Sequence, residues 1–461
     1  MESETAVIMR RLFLSLLKLF FTLSILLIIL LCYVTTVFAQ NTTDSVGHNY
    51  SFHLQATLIP QYHFDFNAAY SEINSLLTHE PVRTSFTTTL YLVYKPFKHD
   101  YLVFNPEMTA GKGLSQTLGL AGFSNGEIYR VGDPNLHPYI ARLYVEHQFP
   151  LSNRKENIED DMNQLKETKQ QDYVSILVGK FSLGDFFDMS GICNDPRTQF
   201  LNWSLMGSGA WDYPANTRGY TMGAVVQLID KDYNLRGALT TVPIEANGSE
   251  LQFKWNKAMG MVIELKKNKL FYLTDKIYSD FTVGFYTNIA RMGNYKLAIE
   301  NAAPIFMYPD ITSTRQYGRR KQGWYIDMDN NYSKIHHYLN YSRNDGKNET
   351  WAFTEIDRSF TTGLRFDGDL WRRKKDNFGI GLAINGLSDD HKNYLAAGGY
   401  GFIIGDGRLN YGHEQIWEAY YSMNIANRLF ISPDYQFIKN PAYNKDRGPV
   451  HIVSVRLHVE L

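Results

Sequence analysis

The strictest pattern in the chain lies at its end. Val453, Val455, Leu457, Val459 and Leu461 fall on one parity, and Ser454, Arg456, His458 and Glu460 on the other. Successive side chains of a strand point to opposite faces, so His451–Leu461 predicts a strand with one apolar and one polar face. The same alternation recurs at Phe86–Tyr94, Tyr139–Val145, Val174–Val178, Tyr220–Leu228, Tyr233–Leu239, Met259–Leu265, Phe281–Ile289, Phe360–Phe366, Phe378–Ile384, Trp417–Ile425 and Leu429–Phe437. Asp230-Lys231-Asp232 joins two of these as a hairpin. The polar parity holds Arg142 and Glu146, Thr221 and Gln227, Asn234 and Arg236, and Arg365 and Asp367. Two architectures accommodate this pattern. One is a soluble sandwich with one parity buried and the other wet. The other is a transmembrane antiparallel β-barrel of about 16 strands, apolar outside, with a water-filled polar lumen and its last strand paired to its first.

What precedes the strands favours the barrel. Residues 1–39 read as an export signal: Arg10, Arg11 and Lys18 precede or flank an apolar run from Leu19 to Leu31, and Val37-Phe38-Ala39 before Gln40 fits a cleavage site. A retained anchor is the competing reading, since Leu12–Leu31 could span a bilayer if Lys18 snorkels. The mature chain, 40–461, is expected to be one barrel, because no linker rich in Pro, Gly or Ser divides it. After Leu31 no apolar run approaches helical spanning length, while aromatic residues make up 14% of the chain, 31 of them tyrosine. Hydrophobicity spread over alternate positions, with abundant aromatics, is the composition of an outer-membrane barrel. The formal net charge of -1 becomes -2 once the signal's +1 (three basic against two acidic residues) is removed, which argues against a nucleic-acid partner. Cleavage also leaves Cys193 as a lone cysteine, so no internal disulfide is expected.

Regular alternation fails between Gly179 and Gly219, an irregular block expected to form a constriction or loop region. Trp203, Trp211 and Tyr213 stand there near Asp185, Asp188, Asp195, Arg197, Asp212, Asn216 and Arg218. Aromatic rings stack on the apolar face of a pyranose while carboxylates, amides and guanidinium groups take its hydroxyls, so the mix suits a sugar. The same rings would serve equally as an interfacial girdle or as loop packing. Asn153–Asp172 is charged and poor in aromatics and reads as a solvated loop; its Glu156, Glu159, Asp160 and Asp161 lack the spacing of a calcium loop. His336-His337 and Asp389-Asp390-His391 are the nearest approaches to metal clusters, but neighbours on a strand point apart. No serine is read as paired with a histidine, and neither a catalytic residue nor a cofactor is expected.

Several long blocks carry a resemblance: AGFSNGEIYRVGDP (121–134), FSLGDFFD (181–188), NDPRTQFLNWSLM (194–206), WDYPANTRGYTMG (211–223), TEIDRSFTTGL (354–364), NGLS (385–388), YLAAGGYGFIIGDGRLNYGHEQIWEAYYS (394–422) and DYQFIKNPAYNKDRGPV (434–450). In these the chain resembles the carbohydrate-selective porins of the OprB type from Gram-negative outer membranes. The resemblance implies a barrel of 16 antiparallel strands that passes sugars down their gradient. Relatives with the same blocks include porins associated with manganese entry, so manganese or another small hydrophilic solute is the alternative cargo, and a secreted lectin-like sandwich the alternative class. Outer-membrane lipid and the barrel-assembly machinery are the expected partners, although Leu461 departs from the aromatic residue that usually ends such barrels. Polar groups in or beside these blocks supply the pore candidates: Asp212, Asn216, Arg218, Glu355, Asp357, Arg358, Arg365 and Asp367, with Trp203, Trp211 and Tyr213 as sugar-stacking rings.

Overall fold

The computed structural model describes residues 49–128, 135–303 and 308–461; the export-signal reading of residues 1–39 lies outside them. Sixteen strands form one closed antiparallel barrel. They are β1 Tyr50–His63, β2 Arg83–Tyr94, β3 Asp100–Gly111, β4 His137–Pro150, β5 Tyr173–Phe181, β6 Thr221–Ile229, β7 Tyr233–Thr240 and β8 Met259–Thr274. The second half comprises β9 Ile277–Met292, β10 Gln316–Tyr332, β11 Ile335–Asn344, β12 Arg358–Asp367, β13 Asn377–Gly386, β14 Glu414–Asn424, β15 Leu429–Lys439 and β16 Val450–Glu460. Each pairs with its neighbours in sequence, and β16 returns to β1 in a register that sets Leu457 opposite Leu58 and His63 opposite Ile452. No edge remains, which is the condition for strands to cross a bilayer.

The closing strand follows its sequence parity. Val453, Val455, Leu457 and Val459 face outward, while Ser454, Arg456 and His458 face the interior and are buried. Around the whole barrel the outward face carries exposed Phe104, Val145, Ile176, Val226, Leu235, Ile263, Phe285, Ile380, Trp417 and Val455. A continuous apolar belt of this extent has no counterpart on a soluble monomer and requires lipid around it, which decides against the sandwich.

One end of the barrel has mostly short turns, such as 230–232, 275–276 and 333–334, and the other has long connections, such as 182–220, 293–315 and 387–413. Short turns mark the periplasmic end of outer-membrane barrels and long loops the extracellular end. The connection 151–172 is the exception on the short-turn side. The sequence suggests a solvated loop there, but the chain forms a two-stranded hairpin, Lys155–Ile158 with Glu167–Gln170, whose tip enters the barrel. Asn163 Oδ1 accepts from Gln55 Nε2 at 3.0 Å, the Gln164 carbonyl lies 2.9 Å from His53 Nε2, and Leu165 packs on Tyr91, Val93, Tyr101 and Val103. All of these wall residues are buried on the inner face.

The interior is therefore less aqueous than alternation alone implies. Phe200 and Leu205, from connection 182–220, pack inside against Tyr338, Ala383, Ile416 and Tyr420. Small residues on the inner wall make the room: a Cβ on Gly381 would stand 3.0 Å from Phe200 Cε1.

Candidate functional site

Connection 182–220 does not stay at the mouth; strands from around the barrel hold it inside. Arg142 of β4 grips Asp185 with Nε to Oδ2 at 2.7 Å and Nη2 to Oδ1 at 2.6 Å. Glu264 of β8 accepts the Asp188 amide at 2.6 Å, and Asn344 of β11 donates to the Ala210 carbonyl at 3.1 Å. Glu418 of β14 accepts the Leu201 and Asn202 amides at 2.5 and 2.8 Å, and Arg456 of β16 donates to the Pro196 and Gln199 carbonyls at 2.6 and 2.8 Å. Buried carboxylates that each take backbone N–H groups satisfy donors that an irregular segment cannot pair for itself. The neighbouring connection is fixed in the same manner, with the Ala121 and Gly122 amides donating to Glu414 at 3.1 and 2.7 Å.

Against the inner wall of β1–β4 the block builds a polar cluster around Arg197. Its guanidinium donates to Glu127 Oε1 at 2.7 Å, Glu107 Oε2 at 3.3 Å, Gln55 Oε1 at 3.0 Å and Thr89 Oγ1 at 3.0 Å. Tyr139 and Tyr220 direct their hydroxyls at Glu107. Arg218 lies over the Tyr139 ring at 4.2 Å and Arg142 over the Tyr220 ring at 5.5 Å. Three guanidinium groups (Arg142, Arg197, Arg218) thus meet three carboxylates (Glu107, Glu127, Asp185). Arg142, Asp185 and Arg197 keep 18%, 22% and 15% of their side chains exposed, so they remain within reach of a solute. Gln55 is shared: Arg197 binds its oxygen while Asn163, at the hairpin tip, accepts from its nitrogen.

A second, acidic group lies on another sector. Asp188 accepts from the Ser208 amide and hydroxyl at 2.6 and 2.8 Å, and Glu264 takes Arg236 Nη1 at 2.9 Å and the Tyr325 hydroxyl at 2.8 Å. Burial, reinforced by the charge of Glu264 and opposed by the Ser208 bonds, pushes the Asp188 carboxyl up to about 7. Among the described residues no group of three or more His, Cys, Asp or Glu side chains is arranged to hold a metal.

The model of the carbohydrate-selective porin family, OprB, matches residues 83–461. The chain belongs to that family. Among solved structures, the high-pH form of Pseudomonas putida OprB aligns over 90% of this chain and 94% of its own, with a TM-score of 0.66 at 15% identity. The outer membrane channel DcaP of Acinetobacter baumannii aligns over 91% of this chain and 99% of its own, with a TM-score of 0.49 at 9% identity. Sequence comparison with curated proteins finds no match.

Within this OprB-family barrel the residues singled out from sequence separate into groups. Asp212, Glu355 and Asp357 are buried braces. Asp212 accepts the Trp351 and Ala352 amides at 2.8 and 2.7 Å, and Glu355 accepts those of Ile403 and Ile404 at 2.8 and 3.0 Å. Asp357 takes the Ser388 amide at 2.9 Å and His391 Nδ1 at 3.0 Å, with Lys321 Nζ 3.7 Å away. Burial would raise the pKa of Asp357; His391 and Lys321 outweigh it and hold the group below its ordinary value. Asn216 caps a turn, accepting the Arg218 and Tyr220 amides at 3.1 and 3.2 Å. Arg365 and Asp367 do face inward, Arg365 Nη1 donating to the Gly191 carbonyl at 2.7 Å and Asp367 taking His336 Nε2 at 3.0 Å. Arg358 does not: β12 runs unbroken, no bulge near Ser359 turns it, and its side chain is exposed on the outer face.

The three rings form one ladder. Trp203 stacks on Phe123 at 5.1 Å and on Phe353 at 5.3 Å, so both of its faces are covered; Tyr213 stacks on Phe353 at 5.1 Å and tilts against Trp211 at 5.1 Å. Gly122-Phe123-Ser124-Asn125-Gly126 spells the G-x-S-x-G of a nucleophile elbow. Here Ser124 sits in a loop and its hydroxyl donates to Gln61 Oε1 at 3.2 Å, with no histidine among its partners. Sequence reasoning noted Arg197 and Asp185 but ranked neither as a pore residue, and Glu107, Glu127, Tyr139 and Tyr220 carried no local signal. Their proximity to one another exists only in the closed barrel.

Proposed function

We propose that the protein is a passive channel of a Gram-negative outer membrane through which sugars diffuse past the Arg197 cluster. The observation that supports this reading is the charge balance of the cluster. Three guanidinium groups interleaved with three carboxylates offer many hydrogen-bond donors and acceptors of both signs, which suits a neutral polyhydroxyl solute better than a divalent cation. Tyr139 and Tyr220 add ring edges and hydroxyls on the same wall. Arg365, Asp367 and the exposed edges of the Trp203–Tyr213 ladder extend the polar and aromatic path; Asp212, Glu355 and Asp357 act by holding the inward segments in place, and Asn216 acts by setting the turn that carries Arg218. Lipid around the barrel and the barrel-assembly machinery are the partners this reading requires. Arg197→Gln tests it, because that change leaves Glu107 and Glu127 in excess. Reversal potentials in planar bilayers should shift towards cation preference and neutral-sugar flux should fall several-fold, with the folded form confirmed by heat-modifiable migration. Unchanged flux and unchanged ion preference would remove the cluster from the solute path.

A further inference from the structure

On four consecutive strands the outward apolar run ends, at the extracellular side, in an arginine. Phe285 and Ile289 lead to Arg291 on β9; Ile326 and Trp324 lead through Gln322 to Arg320 on β10. Leu339 and Tyr341 lead to Arg343 on β11, and Leu364 and Phe360 to Arg358 on β12. All four arginines are exposed, and among the described residues none takes part in an ion pair within 4.0 Å. Arg343 and Arg358 stand directly opposite each other across the β11–β12 pair. Like charges in facing positions repel and weaken a sheet unless an anion lies between them. The nearby carboxylates make their close contacts elsewhere: Asp345 accepts the Gln322 amide at 3.2 Å, and Asp389 is held by Lys392 at 2.8 Å and meets Arg358 only beyond ion-pair distance. Arg343 itself lines a groove of about 410 Å³ that opens between β9, β10 and β11, together with Phe285, Gln322, Trp324, Asn344 and one carboxylate, Asp345. Trp324, on its wall, packs on Tyr341 at 5.5 Å.

We infer that this face binds the phosphorylated headgroup of an outer-leaflet lipid, in a Gram-negative outer membrane that of lipopolysaccharide. Arginine presents a planar fork of donors that matches phosphate, and two facing forks at the height where an apolar belt ends place their charge at headgroup level. The groove, with Phe285 and Trp324 in its lining, receives the acyl chain or sugar next to the phosphate, as interfacial aromatic residues do elsewhere. The inference rests on the outer-membrane reading for its orientation, but not on what the pore carries.

The test uses the purified full-length protein, and native mass spectrometry reads how much lipid it retains. Diphosphorylated lipid A should be retained at least about tenfold more than its dephosphorylated form and more than phosphatidylglycerol, and millimolar inorganic phosphate should not displace it. The double variant Arg343→Gln/Arg358→Gln should lose most of this retention while keeping heat-modifiable migration and sugar flux. Equal retention of phosphorylated and dephosphorylated lipid A by the unmodified protein would overturn the inference without any variant having to fold. So would full retention by the double variant, or displacement by inorganic phosphate. Loss of sugar flux with lipid binding intact would count against the channel and leave this site standing.

Discussion

Arg197 and Asp188 show how much a single side chain depends on where the inward segment sets it. Arg197 reaches strands β1, β2 and β3 at once, through Gln55, Thr89 and Glu107. Burial beside Glu264 and Asp327 pushes the Asp188 carboxyl up to about 7, against an ordinary 3.8. A carboxyl with a raised folded pKa holds its proton where the unfolded chain has lost it, so its contribution to stability falls as pH rises from about 4 to about 7 and is flat above. The temperature at which heat-modifiable migration is lost should therefore drop over that window in the unmodified protein, and drop less in Asp188→Asn; parallel curves would show that Asp188 does not titrate there. Asp212 and Glu355 were visible as polar residues in distinctive blocks. Their work as clips for backbone amides was not, because the amides of Trp351, Ala352, Ile403 and Ile404 that they hold are remote in sequence.

At the scale of elements, β16 carries opposite expectations on adjacent residues. Leu457 faces outward between Leu58 and Ile431, so Leu457→Arg near the midplane should cost about 2–4 kcal/mol of barrel stability. Arg456 faces inward and is fully buried on two carbonyls. Parity alone suggests that Arg456→Leu is tolerated; the contacts predict a barrel that still assembles but an inner segment loosened by about 1–3 kcal/mol, since the Pro196 and Gln199 carbonyls lose their donors. Limited proteolysis of segment 182–220 in folded barrels separates the two, and equal sensitivity to the two changes would contradict the assignment. The hairpin at 155–170 narrows the lumen from the periplasmic side, so replacing it by a short Gly-Ser turn should raise single-channel conductance; unchanged conductance would place it clear of the solute path. Most strands were legible because one parity meets lipid. β3 escaped notice because Tyr101 and Val103 on its inner face are also apolar, packed by Leu165 of the hairpin, and Pro106 breaks the pattern. β10 escaped because its outer face ends in Gln322 and Arg320, and β1 because Ile59 puts an apolar side chain on the otherwise polar inner parity just before Pro60.

Residues 49–460 build a closed wall whose interior is partly filled by its own connections. Lipid outside demands the alternation that makes such a barrel readable from sequence, and that demand is uniform around the wall. The interior answers to solute and to packing together, so its residues follow no period, and the solute path emerges only when segments 112–128, 155–170 and 182–220 are brought against the same strands. The folded protein should fractionate with the outer membrane and migrate as a compact species until heated, and recovery from the soluble periplasm would remove the bilayer from the account. The most direct test of the central claim is solute flux through the unmodified protein in liposomes, comparing neutral mono- and disaccharides with manganese at equal gradients. The account predicts sugar flux well above that of protein-free liposomes and well above manganese flux; manganese flux far exceeding sugar flux would contradict it.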